Sequence, residues 1–271
     1  MSAELTIGFL GAGQMATALA QGLVRAGLVR PEGLVASDVS VAARERFARE
    51  TQGRVLAANS EVAAVAGTLV LAVKPLQVDE VLKELAPQIG SGHLLVSLAA
   101  GVRLAKLEAA LPAGTRVVRV MPNTPALVGE GASGFALGRA AGREDAEWTA
   151  RLLGAVGLAF EVPERLLDAV TGLSGSGPAY ACLMIEALSD GGVAAGLPRD
   201  LATRLAAQTL LGTARMVLET GLHPGVLKDR VTSPGGTTIE GLHQLERAGV
   251  RGALLSAVRA AADKSRQLGG D

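Results

Sequence analysis

The stretch Leu5-Thr6-Ile7-Gly8-Phe9-Leu10-Gly11-Ala12-Gly13-Gln14-Met15-Ala16 decides how the chain begins to fold. Residues 5–10 form a short, mostly apolar run, the pattern of a strand covered on both faces. The run stops at a glycine, and a helix is predicted over 17–25. Gly11-Ala12-Gly13-Gln14-Met15-Ala16 is thus a G-x-G-x-x-A fingerprint in strand–turn–helix context. Its glycines let the backbone approach a pyrophosphate, and the small Ala16 lets the helix pack against the strand. The alternative is a turn that serves structure alone.

A second strand over 33–37 ends at Asp38, about 20 residues beyond the fingerprint, where an acidic side chain accepts from a ribose 2′-hydroxyl. Ser37, Ser40, Arg44 and Arg46 lie nearby and would instead help to hold a 2′-phosphate. Asp38 could equally cap a helix over 41–49. Strands at 55–57, 68–73, 93–98 and 116–120 continue the alternation. Runs such as Leu69-Val70-Leu71-Ala72-Val73 suit a parallel sheet buried on both faces. The turns after these strands carry Lys74-Pro75, Ala99-Ala100-Gly101 and Met121-Pro122-Asn123-Thr124-Pro125. Ligands of open α/β sheets collect at the carboxyl ends of strands, so these turns are expected to line a cofactor crevice. Pro75, Pro122 and Pro125 also fit a plainer role as strand terminators. Strands at 132–137 and 157–162 flank a helix over 144–156, on which Trp148 is expected to pack.

At Pro163 the pattern changes, and no strand is expected beyond it. Helices are predicted over 166–173, 178–195, 198–220, 224–231, 237–248 and 251–268, punctuated by Gly and Pro. The helix over 198–220 is apolar nearly all round (Leu201, Leu205, Ala206, Leu210, Leu211, Ala214, Val217, Leu218). In so small a domain it needs burial on more than one side, and a second subunit is the expected source. Two domains follow: 1–162, binding a dinucleotide, and 163–271, helical.

Within the second domain, Val231-Thr232-Ser233-Pro234-Gly235-Gly236-Thr237-Thr238-Ile239-Glu240-Gly241-Leu242 carries no charge before Glu240, two adjacent glycines and a cluster of hydroxyls. A Ser-Pro-Gly-Gly-Thr-Thr turn entering a helix presents unpaired N–H groups and the positive dipole end, which suit a small anion. An ordinary turn with an N-cap explains the same residues.

Composition narrows the classes. Lys plus Arg and Asp plus Glu number 26 each, so no electrostatic footprint for nucleic acid or an anionic membrane is visible. Cys182 is the only cysteine, which excludes an internal disulfide and a cysteine metal site; it is expected as a buried, inert thiol. His93, His223 and His243 have no partner at ligand spacing, so no metal is expected. With no signal-peptide pattern and no apolar run near the ~20 residues of a membrane span, a cytoplasmic location is the expectation. Aromatics make up only 2% and glycines number 35, so packing rests on Ala, Leu and Val.

Residues 8–16, Val73-Lys74-Pro75, Ser97-Leu98-Ala99-Ala100-Gly101 and 119–131 together resemble the pyrroline-5-carboxylate reductases. So do Gly172-Leu173-Ser174-Gly175-Ser176-Gly177-Pro178-Ala179-Tyr180 and 231–242. The resemblance runs over nearly the whole chain in the right order. Its most specific stretches are Arg119-Val120-Met121-Pro122-Asn123-Thr124-Pro125 and Thr232-Ser233-Pro234-Gly235-Gly236-Thr237-Thr238. It implies an α/β fold: an N-terminal Rossmann-type dinucleotide-binding domain, then a C-terminal all-helical dimerisation domain that interlocks with its twin. It further implies NAD(P)H-dependent reduction of 1-pyrroline-5-carboxylate to L-proline, the last step of proline biosynthesis, by a homodimer or a larger assembly of dimers. Arg230 is a departure: the residue after Lys228-Asp229 is often Asn in the family, and a guanidinium there could favour phosphate.

On these grounds together, the expected cofactor-binding residues for NADP(H) and/or NAD(H) are Gly11, Ala12, Gly13, Gln14, Met15, Ser37, Asp38, Asn59, Ala72, Val73, Lys74, Pro75, Ala99, Ala100, Gly101, Met121, Pro122 and Asn123. Val231, Ser233, Gly236, Thr237 and Thr238 are expected to hold the substrate, with Thr238 catalytic. The chemistry agrees, because a protonated imine arrives activated whereas a ketone needs a positioned acid or base, often Lys or His. There is no lysine between Lys106 and Lys228. That speaks against a hydroxyacid dehydrogenase of the same plan, although His223 or Tyr180 could substitute. A related reductase of another imine and a non-catalytic dinucleotide-sensing protein are the alternatives. The sensor would have no evident reason for the turn at Ser233 to Thr238.

Overall fold

The computed structural model describes residues 5–270; residues 1–4 and 271, the outer ends of the two expected domains, lie outside them. The chain forms two compact units, one built from residues up to Gly175 together with those from Ala261 onward, the other from Ser176–Ala260.

In the first unit, β1 (Ile7–Leu10), β2 (Leu34–Ser37), β3 (Arg54–Leu56), β4 (Thr68–Leu71), β5 (Leu94–Ser97), β6 (Arg116–Met121), β7 (Gly131–Leu137) and β8 (Gly157–Glu161) make one sheet. Its order is β3-β2-β1-β4-β5-β6-β7-β8. The order reverses between β1 and β4, which both pair in parallel with register Ile7 opposite Leu34 on one side and Thr68 on the other. That reversal opens a crevice at the carboxyl ends of the central strands. The helices α1 (Gln14–Arg25), α2 (Val41–Thr51), α3 (Asn59–Val65), α4 (Val78–Leu85), α5 (Leu104–Ala109) and α6 (Arg143–Gly154) cover its faces. Every residue of β1, β2, β4 and β5 is buried, as continuous apolar runs between two helical layers should be. Leu19, Leu23, Phe47, Leu152 and Leu153 build one core, with the Phe9 and Phe47 rings 5.6 Å apart between centroids. Val62, Leu82, Leu85 and Leu107 build the other. Trp148 packs against the first core and donates its indole N–H to Thr68 Oγ1 at 3.1 Å.

The structure adds or corrects several points. The sheet is not wholly parallel: β7 runs antiparallel to β6. The connection from Pro122 to Glu130, with a 3-10 turn at Thr124–Val128, is too short for the dozen or more residues of a parallel crossover. Helices α3, α4 and α5 supply crossovers that the sequence reading did not place. The helix expected over 166–173 is split into α7 (Leu167–Val170) and a π-helical turn at Thr171–Gly175.

The second unit comprises α8 (Gly177–Ala194), α9 (Arg199–Thr220), α10 (Pro224–Arg230), α11 (Thr237–Arg247) and the first part of α12 (Val250–Leu268). It has little core of its own. On α8 only Ser189 is buried, on α9 only Ala202 and Ala206, and on α11 nothing is. Leu183 is 65% exposed and Leu218 67%. Cys182, expected inside, is exposed in the single chain, because α8 turns that face outward. The end of α12 returns to the first unit, where Ser265 Oγ donates to the buried Asp168 Oδ1 at 2.6 Å.

Candidate functional site

The glycine-rich turn leaves β1 under tight constraint. Gly11 has φ +99°, a left-handed angle that a side chain rarely adopts, and a Cβ there would stand 2.9 Å from the Ala72 carbonyl oxygen. Its N–H donates to Ser37 O at 2.8 Å, while Ala72 N donates to Leu10 O, so the turn is tied to both neighbouring strands. Gly13 is the N-cap of α1 and offers no side chain to it. Among the described residues, none beyond its immediate neighbours in the chain comes within 4 Å of where its Cβ would be. The N–H groups of Gln14 and Met15, in the first turn of this 12-residue helix, thus have no capping side chain at its positive end. Ala12 and Ala16 are fully buried beneath.

Gly11, Gly13, Asp38, Asn59, Ala72, Val73 and Lys74 line one pocket of about 440 Å³. Asp38 Oδ2 accepts from Ala12 N at 2.8 Å, and Oδ1 accepts from Ser40 N at 2.8 Å. The cap of α2 is Ser40, whose Oγ accepts from Ala43 N, so the capping role weighed for Asp38 falls to its neighbour. Arg44 Nη1 donates to Asp38 O and Arg46 Nη2 to Ala12 O, so both guanidiniums are engaged by backbone beside the pocket. The buried Ser37 hydroxyl donates to Asn59 Oδ1 at 2.7 Å, and Asn59 Nδ2 donates to Glu84 Oε2 at 2.7 Å. Ser40, weighed above for a 2′-phosphate, also lines this pocket, as do Gln77, Glu80 and Glu84, which were not singled out from the sequence. The pattern that could have found Glu80 and Glu84 is their four-residue spacing just after Lys74-Pro75, which puts both on one face of α4.

The other expected cofactor residues sit at neighbouring strand ends but not in that pocket. Pro75 opens a 3-10 turn whose Gln77 side chain accepts from Lys74 N. Ala99 N approaches Ser97 Oγ at 3.4 Å, Ala100 is exposed, and Gly101 has φ +75°. Met121 ends β6, and Pro122 is half-buried beyond it. Asn123 is buried and its amide is used within the unit: Oδ1 accepts from Ala132 N at 2.8 Å and Nδ2 donates to Ser174 O at 3.1 Å. Arg119, buried on β6, donates to Glu164 Oε1 at 3.0 Å, an ion pair that the sequence reading did not anticipate. His93 donates from Nε2 to Ala63 O while Nδ1 accepts from Gly90 N, and His223 Nδ1 caps α10. Among the described residues no group of three His, Cys, Asp or Glu side chains could hold a metal ion.

In the second unit, Ser233 O accepts from Gly236 N at 3.1 Å across a turn with Pro234 and Gly235 at its centre. Gly235 has φ +65°, as the third position of a type II turn demands. Gly236 is the N-cap of the 11-residue α11 and has no side chain to occupy the free N–H groups of Thr237 and Thr238. Thr232 Oγ1 donates to Lys228 O at 2.7 Å. The Ser233, Thr237 and Thr238 hydroxyls have no such partner among the described residues. Val231, 62% exposed, is the C-cap of α10 and directly follows the exposed Arg230. The turn therefore gathers two kinds of donor, hydroxyl and helix-end N–H, with no side chain among the described residues to satisfy them.

Residues 164–268 match the family model for pyrroline-5-carboxylate reductase dimerisation, and residues 6–101 match that of the NADP oxidoreductases dependent on coenzyme F420. The chain is 52% identical over 267 residues to a pyrroline-5-carboxylate reductase of Methanosarcina acetivorans, covering 97% of each. It superimposes on the solved pyrroline-5-carboxylate reductase of Coxiella burnetii with TM-score 0.92 and 35% identity, covering 97% of this chain and 98% of that one. A Plasmodium falciparum pyrroline carboxylate reductase with NADP bound matches with TM-score 0.87 and 35% identity, over 98% of each chain.

Proposed function

The chain belongs to the pyrroline-5-carboxylate reductase family, and from that premise we propose how its residues share the work. It is an NAD(P)H-dependent oxidoreductase that reduces 1-pyrroline-5-carboxylate to L-proline, the last step of proline biosynthesis. Residues 1–162 bind the dinucleotide and residues 163–271 bind substrate and dimerise. The location is cytoplasmic, and the working form is a homodimer or an assembly of dimers. Among the described residues no helix is long and apolar enough to cross a membrane.

The first unit fits a dinucleotide: the uncapped N-terminus of α1 and the open space before Gly13 suit a pyrophosphate. The Asp38 carboxylate keeps lone pairs for a ribose diol. Ala72, Val73, Lys74, Pro75, Ala99, Ala100, Gly101, Met121 and Pro122 carry the binding surface along the strand ends, with Asn123 bracing the turn from behind. When bound, the nicotinamide supplies the hydride. The protein's part is to hold the imine carbon in position and its nitrogen protonated.

The observation that carries the substrate reading is the unpartnered hydroxyl set at the start of α11. Ser233 and the N–H group of Thr237 take the substrate carboxylate, with the helix dipole in place of an arginine; the Gly236 N–H, expected to share this role, is already given to Ser233 O. Thr238 Oγ1 hydrogen-bonds the ring nitrogen and fixes which face of the imine is offered. Val231 supplies an apolar edge. No strong general acid is needed, which accords with the absence of lysine between Lys106 and Lys228. The test is direct: purified protein given 1-pyrroline-5-carboxylate should oxidise NADH or NADPH and accumulate proline. No rate above background with either, from folded protein, sinks the reading.

A further inference from the structure

We propose that Glu84 is a positioning residue for the dinucleotide and biases the chain toward the form without a 2′-phosphate. The inference rests on the reading of the 440 Å³ pocket as the ribose end of the cofactor site.

Asn59 stands at the start of α3 with its amide held at both ends, Oδ1 by the Ser37 hydroxyl and Nδ2 by Glu84. A hydroxyl can donate or accept, so Ser37 alone would tolerate the amide either way round. An ionised carboxylate only accepts, so Glu84 admits the amide nitrogen and not the oxygen. Glu84 thereby decides which way Asn59 faces, and forces the Ser37 proton toward Asn59 Oδ1. Its second oxygen accepts from Ser60 N at 3.3 Å, which moors the carboxylate to the first turn of α3.

The same group contributes charge. The pocket lining holds three carboxylates, Asp38, Glu80 and Glu84, against one ammonium, Lys74. The two nearby guanidiniums donate to backbone carbonyls at Asp38 and Ala12. Acceptors and negative charge welcome the two O–H donors of a ribose diol, and they repel a phosphate dianion at the same place. Glu84 thus acts in two ways that can be separated, through its hydrogen bonds and through its charge.

Two variants separate them. Affinities for NADH and NADPH are measured without substrate by cofactor fluorescence, with Tm alongside. Glu84→Gln removes the charge and the acceptor-only character. It should shift the ratio of the two Kd values toward NADPH by about fivefold. Glu84→Asp keeps the charge but falls one methylene short of Asn59. It should weaken both cofactors by a similar factor and leave the ratio near that of the unsubstituted chain. A purely structural role would move Tm in both variants and the ratio in neither, and that result overturns the proposal. A Glu84→Gln ratio unchanged at constant Tm overturns it equally. If the unsubstituted chain binds neither cofactor, the dinucleotide reading beneath the proposal fails, and the proposal with it.

Discussion

The carboxylate of Asp38 accepts a hydrogen bond from the backbone N–H of Ala12 at 2.8 Å. One end of the second strand therefore holds the glycine-rich turn in shape, and the residue suited to a ribose diol also moors the loop suited to a pyrophosphate.

Asp38→Ala should accordingly weaken both dinucleotides, NADH more than NADPH. A hydrogen bond to a charged group contributes about 1.5–3 kcal/mol, so the NADH affinity should fall roughly 10- to 150-fold. NADPH should lose less, since removing the carboxylate also relieves its repulsion of the 2′-phosphate. Titrations of the variant with each cofactor decide the matter. Strict NADPH dependence unaltered by the substitution would show that Asp38 serves the fold alone.

Gly11 and Gly13 should respond differently to the same added methyl. Gly11→Ala places a Cβ at φ +99° and 2.9 Å from Ala72 O, and should destabilise the protein by about 2–4 kcal/mol. Gly13→Ala meets nothing beyond its chain neighbours among the described residues, so stability should move by less than about 1 kcal/mol. Its cofactor affinity should nevertheless drop about tenfold or more, because the methyl occupies space left for the pyrophosphate. Unchanged cofactor binding in folded Gly13→Ala would remove the pyrophosphate from that end of α1.

Thr238 and Thr232 make a matched pair of hydroxyls. Thr238→Val should lower kcat/KM by roughly 10- to 150-fold through loss of a hydrogen bond of about 1.5–3 kcal/mol to a charged group. Cofactor affinity should stay as it was. Thr232 already donates to Lys228 O, and Thr232→Val should keep kcat/KM within about threefold while costing about 1 kcal/mol of stability. Full kcat/KM in Thr238→Val places the reaction elsewhere. A fall in cofactor binding would instead move Thr238 into the dinucleotide pocket.

The second unit predicts its own company. Leu183, Leu188, Leu205 and Leu218 are half-exposed or more on α8 and α9, far more apolar surface than a small helical unit leaves to water. Sedimentation at micromolar concentration should show dimers or larger species and no folded monomer. A stable, active monomer refutes the argument.

The sequence exposed what is local and concealed what depends on distant packing. The β1–turn–α1 segment was legible because its strand, its glycines and its helix are adjacent, and the apolar runs of β4 and β5 declare burial on both faces without further context. The direction of β7 was not, because it depends on how few residues bridge Pro122 to Glu130. Cys182 was misplaced because an apolar run does not say which side of α8 another element covers. Thr238 was singled out and Thr232 was not, but the sequence alone does not show why, and only the last turn of α10 reveals that the Thr232 hydroxyl is already engaged. Glu84 drew no notice in the sequence, because its partner Asn59 lies 25 residues away and only the packing of α3 beside α4 brings the two together.

The hydrogen bond between Ser265 and Asp168 joins parts of the chain that are made far apart in time. At about 5–20 residues per second, the intervening second unit delays the closing segment by on the order of 10 s. Until that segment emerges, the first unit waits on the ribosome with the Asp168 carboxylate bare and the surface beneath α12 uncovered. A nascent chain stalled or cleaved before Ala261 is thus a natural client for chaperones and proteases.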